Sequence, residues 1–331
     1  MKRFALTHDG IQREYYLFDP GDAKTTQRPL LIFLHGYGGT ATGTESETTN
    51  GLNRYATSHG FAVIYPQGTW FRETISGTTN IVTSWNDLGG NRDEGPKGPL
   101  CSDDAPKYPC PAECGDCGRC GWTSCHDDLG FLQRLIDIAI DKHNADTSRI
   151  YVSGFSNGSM MAHRLACHAS DKIAAAALVG GRLEKGMQCV PGNPTPLLQI
   201  NGGKDLAVPY EGELPNSDFY YESATSVDFE WARANQCQEA EESWSIPVHA
   251  PSTLQCTARC AGEDKETINC LWSDGTHVWP GYPDNHGSGG YCVTSIQGPY
   301  MPGQPACVEA DPDVDVWGSR LLFKFLQKHS L

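Results

Sequence analysis

The residues Gly154-Phe155-Ser156-Asn157-Gly158 form a Gly-x-Ser-x-Gly pattern, the spacing that places a serine on a sharp turn between a strand and a helix. In a chain with 36 glycines the pattern alone is weak, and the bland alternative is a Gly-rich turn with a helix-capping serine. Its setting argues for chemistry. A β-branched strand over residues 149–153 precedes it and a helix over 159–165 follows, the arrangement that strains the serine backbone and presents its hydroxyl. A serine hydroxyl is a weak nucleophile at neutral pH, so Ser156 requires a neutral imidazole to take its proton and a carboxylate to hold the imidazole tautomer.

In such a strand-turn-helix fold the acid and then the base follow the serine along the chain. Asp205 lies in Asn201-Gly202-Gly203-Lys204-Asp205, just past an apolar strand over 196–200, where a loop delivers it to the site. Asp171, Asp218 and Asp228 lack that position. His277 follows a late strand over 266–272 through Ser273-Asp274-Gly275-Thr276, whereas the alternative, His286, lies in a Gly-rich loop with no strand leading into it. The developing oxyanion needs two backbone N–H donors, and the candidates are Asn157, after the serine, and Tyr37, in His35-Gly36-Tyr37-Gly38-Gly39. Trp70, Trp85, Trp122, Trp272 and Trp279 fall near the expected site loops, and aromatic walls suit a flat acyl group. Trp279, two residues from His277, and Phe155, beside Ser156, are the expected substrate contacts, against the common role of such residues in a core.

The elements that position these residues follow from hydrophobic period. Residues 3–8 and 13–18, joined through Asp9-Gly10, read as an antiparallel hairpin at a sheet edge. Apolar runs over 29–34 and 61–65 read as strands buried on both faces, with a helix over 52–59 between them. A helix over 128–144, strands over 149–153, 174–179 and 196–200, a helix over 223–235, the late strand and a C-terminal helix carrying Val314, Trp317, Leu321 and Phe325 complete the pattern. Alternating strands and helices predict an α/β fold with a mostly parallel, doubly wound sheet. No repeat or linker divides the chain, so one catalytic domain over 1–331 is expected, acting as a monomer.

The 40 acidic and 25 basic residues leave a formal charge of -15, which would repel a phosphate backbone and argues against nucleic acid. No apolar stretch approaches the roughly 20 residues of a bilayer span. Fourteen cysteines point to an oxidising compartment, hence secretion, with any signal peptide removed from this chain, since the N-terminus has no apolar signal core. Six of them, Cys101, Cys110, Cys114, Cys117, Cys120 and Cys125, define a Cys-rich insert over 101–125. Three disulfides are the expectation for so polar a loop; zinc or an iron–sulfur cluster at Cys114, Cys117 and Cys120 is the alternative.

Together His35-Gly36-Tyr37-Gly38-Gly39, Gly154 through Met161, Asp205-Leu206-Ala207-Val208-Pro209-Tyr210 and Gly275-Thr276-His277-Val278-Trp279-Pro280-Gly281 resemble the polyhydroxybutyrate depolymerase and feruloyl esterase family, which groups with the first carbohydrate esterase family. Similarity extends to Asp127-Asp128-Leu129-Gly130-Phe131-Leu132 and Trp231 through Cys237; the Cys-rich insert departs from the family. The resemblance implies an α/β-hydrolase fold, the same Ser156, Asp205 and His277, no metal or cofactor, and esters of plant polysaccharides or polyester chains as substrates. It also implies a Cys237–Cys260 cystine and suggests Cys292–Cys307. A feruloyl esterase is the leading expectation, with an acetylxylan esterase or polyester depolymerase, and then a catalytically dead glycan-binding protein, as alternatives.

Overall fold

The computed structural model describes the chain except residues 22–26, 48–50, 76–77, 90–93, 96–97, 106–107, 109–120, 213–217, 238–239, 283–289, 309–313 and 315. In chain order its elements are β1 (Lys2–His8), β2 (Ile11–Phe18), β3 (Arg28–Leu34), α1 (Gly43–Glu47), α2 (Gly51–His59), β4 (Ala62–Pro66), β5 (Thr69–Ile75), β6 (Thr78–Ser84), β7 (Glu94–Gly95), β8 (Gly98–Pro99), α3 (Asp128–His143), β9 (Ala145–Phe155), α4 (Asn157–His168), β10 (Ala175–Val179), β11 (Leu197–Gly202), α5 (Ala224–Ala234), β12 (Glu242–Ser243), β13 (Leu254–Arg259), β14 (Thr267–Trp272) and α6 (Trp317–Leu326). Ten strands make one sheet in the order β1-β2-β4-β3-β9-β10-β11-β14-β13-β12.

The middle of this sheet, from β4 to β14, is parallel. Side chains alternate across a strand, so an unbroken apolar run must bury two faces. In β3 and β4, Leu31, Phe33, Val63 and Tyr65 enter one core with α2 and α6, while Leu30, Ile32, Leu34 and Ile64 enter a second with α3, α4 and α5. At one edge the β1–β2 hairpin turns on Asp9 and Gly10, with φ of 47° and 76°, the left-handed pair that a two-residue hairpin demands.

The opposite edge is antiparallel too, which the sequence pattern did not suggest. There β13 pairs with β14, and the directly opposed Cys256 and Cys270 are joined by a disulfide. A separate β5–β6 hairpin, also unforeseen, leads to the site through Thr83 to Asp87. Two boundaries differ from expectation: β9 runs on through Gly154 and Phe155 because both pair with β10, and α6 starts at Trp317, leaving Val314 outside. No described helix is long and apolar enough to cross a membrane.

Candidate active site

Ser156 sits where β9 stops and α4 begins, at φ 54° and ψ -124°, a backbone state costly for any residue with a Cβ. The close crossing needs glycine on both sides. A Cβ on Gly158 would lie 2.3 Å from the carbonyl oxygens of Leu34 and His35, and one on Gly154 would lie 2.5 Å from the Gly158 backbone. Although Ser156 occupies the N-cap position, its hydroxyl makes no capping bond, so the capping alternative does not describe it.

The hydroxyl instead meets His277: Nε2 lies 2.9 Å from Ser156 Oγ, and Nδ1 lies 2.7 Å from Asp205 Oδ2. Asp205 is buried, and its Oδ1 accepts from the Ala207 and Val208 N–H groups, each at 2.8 Å, so both carboxylate oxygens are engaged. The loops after β11 and β14 are zipped together by Gly203 N–H to Trp272 O at 2.7 Å and Lys204 N–H to Gly275 O at 2.8 Å, which brings acid and base into register. Of the other aspartates, Asp171 is exposed and Asp228 pairs with Arg259 at 3.2 Å. His286 lies outside the described residues.

Arg182, which the sequence did not flag, braces the acid loop. Its buried guanidinium donates to Asn201 Oδ1 and to the carbonyls of Val208, Pro209 and Glu222. Burial lowers its pKa to about 10, against the pull of the nearby Asp205 carboxylate. No local pattern announces this residue, because its partners lie 19 to 40 positions downstream.

The early Gly-rich loop is held as firmly. His35 is buried; Nδ1 bonds to Gly36 O at 2.8 Å and Nε2 accepts from Gly68 N–H at 2.9 Å, and burial pushes its pKa down to about 4, so the ring is neutral at neutral pH. Gly38 N–H donates to Thr83 O and Gly39 N–H to Gly36 O, closing a turn around Tyr37. Asn157 begins α4, where N–H groups lack intrahelical acceptors. Its side chain faces away, taking Trp85 N–H at 2.8 Å and donating to Asp87 Oδ2 at 2.7 Å. Tyr37 and Asn157 thus both border the space in front of Ser156.

That space is a cavity of about 660 Å³, within the range that holds a small organic ligand. Its aromatic wall differs from the one expected. Trp279 touches the cavity, but it is 1 % exposed, donates its indole N–H to Ser319 Oγ and packs edge-on against Phe33, so it is core and offers no face for stacking. The reason is α6, which brings Ser319 over the loop from 40 positions downstream. Phe155 borders the cavity beneath His277, with ring centroids 4.9 Å apart. Trp85 is wholly buried, and neither Trp70 nor Trp272 reaches the cavity. Trp122 does, together with Tyr37, Tyr108, Tyr221 and Tyr291. The last three carry no sequence signal; all lie outside the named helices and strands.

Cys237 pairs with Cys260 and Cys292 with Cys307; Cys167–Cys189 and Cys256–Cys270 were not foreseen. Cys101 and Cys125 are disulfide-bonded, while Cys110, Cys114, Cys117 and Cys120 lie outside the described residues. Among the described residues, the one group with metal-ligand proximity is His163, Cys167 and Cys189, and its two sulfurs are bonded to each other.

No family model matches the chain. In sequence it is similar to NocK of Nocardia uniformis subsp. tsuyamanensis, a protein assigned to the esterases by name, at 28 % identity over 291 residues, 82 % of this chain and 72 % of that one. It is similar to feruloyl esterase B of Piromyces equi at 34 % identity over 119 residues, 34 % of this chain and only 22 % of that enzyme. In structure it is similar to an acetyl xylan esterase from Aspergillus awamori, with a TM-score of 0.50 at 15 % identity, covering 85 % of this chain and 95 % of that one. The chain is a serine carboxylic ester hydrolase, similar in sequence to esterases that include feruloyl esterase B and sharing its fold with a solved acetyl xylan esterase.

Proposed function

We propose that this chain is a secreted esterase that releases hydroxycinnamoyl groups, ferulate above all, from plant polysaccharides, working as one catalytic domain. The observation that carries the reading is the contact of Ser156 Oγ with His277 Nε2 at 2.9 Å, at the edge of a cavity walled by Tyr37, Tyr108, Trp122, Phe155 and Tyr221. Disulfides on several elements favour an oxidising, extracellular setting.

In this reading His277 takes the Ser156 proton as Oγ attacks the ester carbonyl, and Asp205 stabilises the imidazolium without taking its proton. The N–H groups of Tyr37 and Asn157 receive the negative charge that forms on the carbonyl oxygen. Collapse expels the alcohol, which takes the proton from His277, and leaves the acyl group on Ser156. Water, activated by the same imidazole, then frees the acid. The runner-up substrates are acetylated xylan and hydroxybutyrate oligomers. A hydrolysis panel with methyl ferulate, acetylated xylan and a hydroxybutyrate oligomer decides among them: fastest turnover of methyl ferulate is expected, and preference for either other substrate rejects the feruloyl reading. A chain that turns over no ester, 4-nitrophenyl acetate included, would instead be a binding protein.

A further inference from the structure

Five tyrosines in the described residues are buried: Tyr15, Tyr16, Tyr65, Tyr151 and Tyr221. Four place the hydroxyl on a protein partner. Tyr15 meets His143 Nε2 at 2.8 Å, Tyr16 donates to Glu14 at 2.7 Å, Tyr65 to Asn53 at 2.8 Å and Tyr151 to His329 O at 2.7 Å. Tyr221 is the exception and is also the only one of the five that borders the cavity in front of Ser156. At 6 % exposed, its hydroxyl has no hydrogen-bond partner among the described residues. The hydroxyl is open rather than sealed in protein, and the residue lines the cavity, so a polar ligand atom can reach it and pair with it.

The residue is held where it stands. Tyr221 N–H donates to Gly212 O at 3.3 Å, its backbone bridges to Glu184, and the next residue bonds Leu183 O at 3.1 Å. Its ring leans on Trp122, whose indole N–H is anchored on Asp87 Oδ2 at 2.9 Å. Burial raises the Tyr221 phenol well above its ordinary range, so the group keeps its proton and serves as both donor and acceptor. Around it the cavity wall includes the apolar side chains of Met160 and Val208, and Tyr108 lines the same cavity.

We infer that the Tyr221 hydroxyl recognises the ring oxygens of the acyl group, so that the site selects 4-hydroxycinnamoyl esters over cinnamoyl esters that lack the phenol. This rests on the esterase reading above and deepens it. A site built to bond a substrate hydroxyl rejects the analogue without it, because its own polar group is then unmatched.

Tyr221→Phe removes one oxygen and keeps the ring. With the full chain, kcat/KM for methyl ferulate and methyl p-coumarate should fall roughly tenfold, the worth of one good hydrogen bond, while methyl cinnamate changes by less than about twofold. The melting temperature should hold or rise, since no protein bond is lost. Equal effects on all three esters, no effect on any, or a melting temperature lowered by several degrees would overturn the inference. A wild-type chain that turns over acetyl esters but none of the three cinnamates would overturn the feruloyl reading itself, an outcome distinct from the others.

Discussion

Asn157 Nδ2 donates to Asp87 Oδ2 at 2.7 Å, and the same carboxylate oxygen accepts the Trp122 indole N–H at 2.9 Å. One buried acid thus ties the residue beside Ser156 to an aromatic wall of the cavity. Asp87→Ala would take the acceptor from three buried donors, on Asn157, Trp122 and Gly89, each costing about 1–3 kcal/mol. The expected outcome is a melting temperature lower by several degrees and a kcat on 4-nitrophenyl acetate lower by roughly tenfold, read by thermal unfolding and steady-state kinetics. Unchanged stability and rate would remove this link from the account.

Gly158 allows α4 to cross β3 at the Leu34 and His35 carbonyls. Because the obstructing atoms are backbone, neither side can yield easily. Gly158→Ala should therefore yield little soluble protein, or protein destabilised by about 3 kcal/mol or more in urea unfolding. A variant as stable as the wild type would mean that the crossing is looser than described.

Glu45 gives a pH-dependent test of the core. Burial raises its pKa to about 7, opposed by bonds from the Tyr65 hydroxyl at 3.0 Å and the Asn53 N–H at 3.2 Å. A raised carboxyl pKa means that the folded state holds a proton the unfolded chain has released. Its stabilising effect is complete below the unfolded value and is lost as pH rises through about 7. Glu45→Gln cannot ionise, so its stability relative to the wild type should improve steadily between about pH 4.5 and 7. Urea unfolding at both ends of that interval measures it, and a constant difference would contradict it.

The Cys292–Cys307 disulfide closes a 15-residue separation beside the Gly-rich loop that carries Tyr37, where Thr40 bonds Gly290 O at 3.0 Å and Cys292 O at 2.5 Å. Replacing both cysteines by serine should cost about 3 kcal/mol through the freed unfolded chain. A several-fold fall in kcat/KM should accompany it, as the segment bracing residues 40–42 loosens. Full activity with an unchanged melting temperature would show that the cystine braces nothing.

Ser156, Asp205 and His277 were legible because each sits a few residues beyond an apolar strand, and a strand's carboxyl end in a parallel sheet is where loops converge. The same local logic does not reach the burial of Trp279, which lines the cavity but depends for its placement on Ser319 in α6, a contact that no window around position 279 contains. Arg182 and Tyr221 were invisible for the same reason: their significance lies in what surrounds them in space, and their neighbours in sequence are ordinary. At the sheet's far edge, β12 and β13 escaped notice because β12 is two residues long and β13 is flanked by polar turns.

The central claim is that Ser156 is the nucleophile, and the steady-state rate of Ser156→Ala on methyl ferulate tests it most directly. Removing the hydroxyl leaves the cavity and the proposed oxyanion donors, the N–H groups of Tyr37 and Asn157, in place but takes away the acyl-enzyme route. The account predicts a kcat lower by at least about three orders of magnitude, with circular dichroism and melting temperature close to those of the wild type. A folded Ser156→Ala protein with a kcat within about tenfold of the wild type would contradict it.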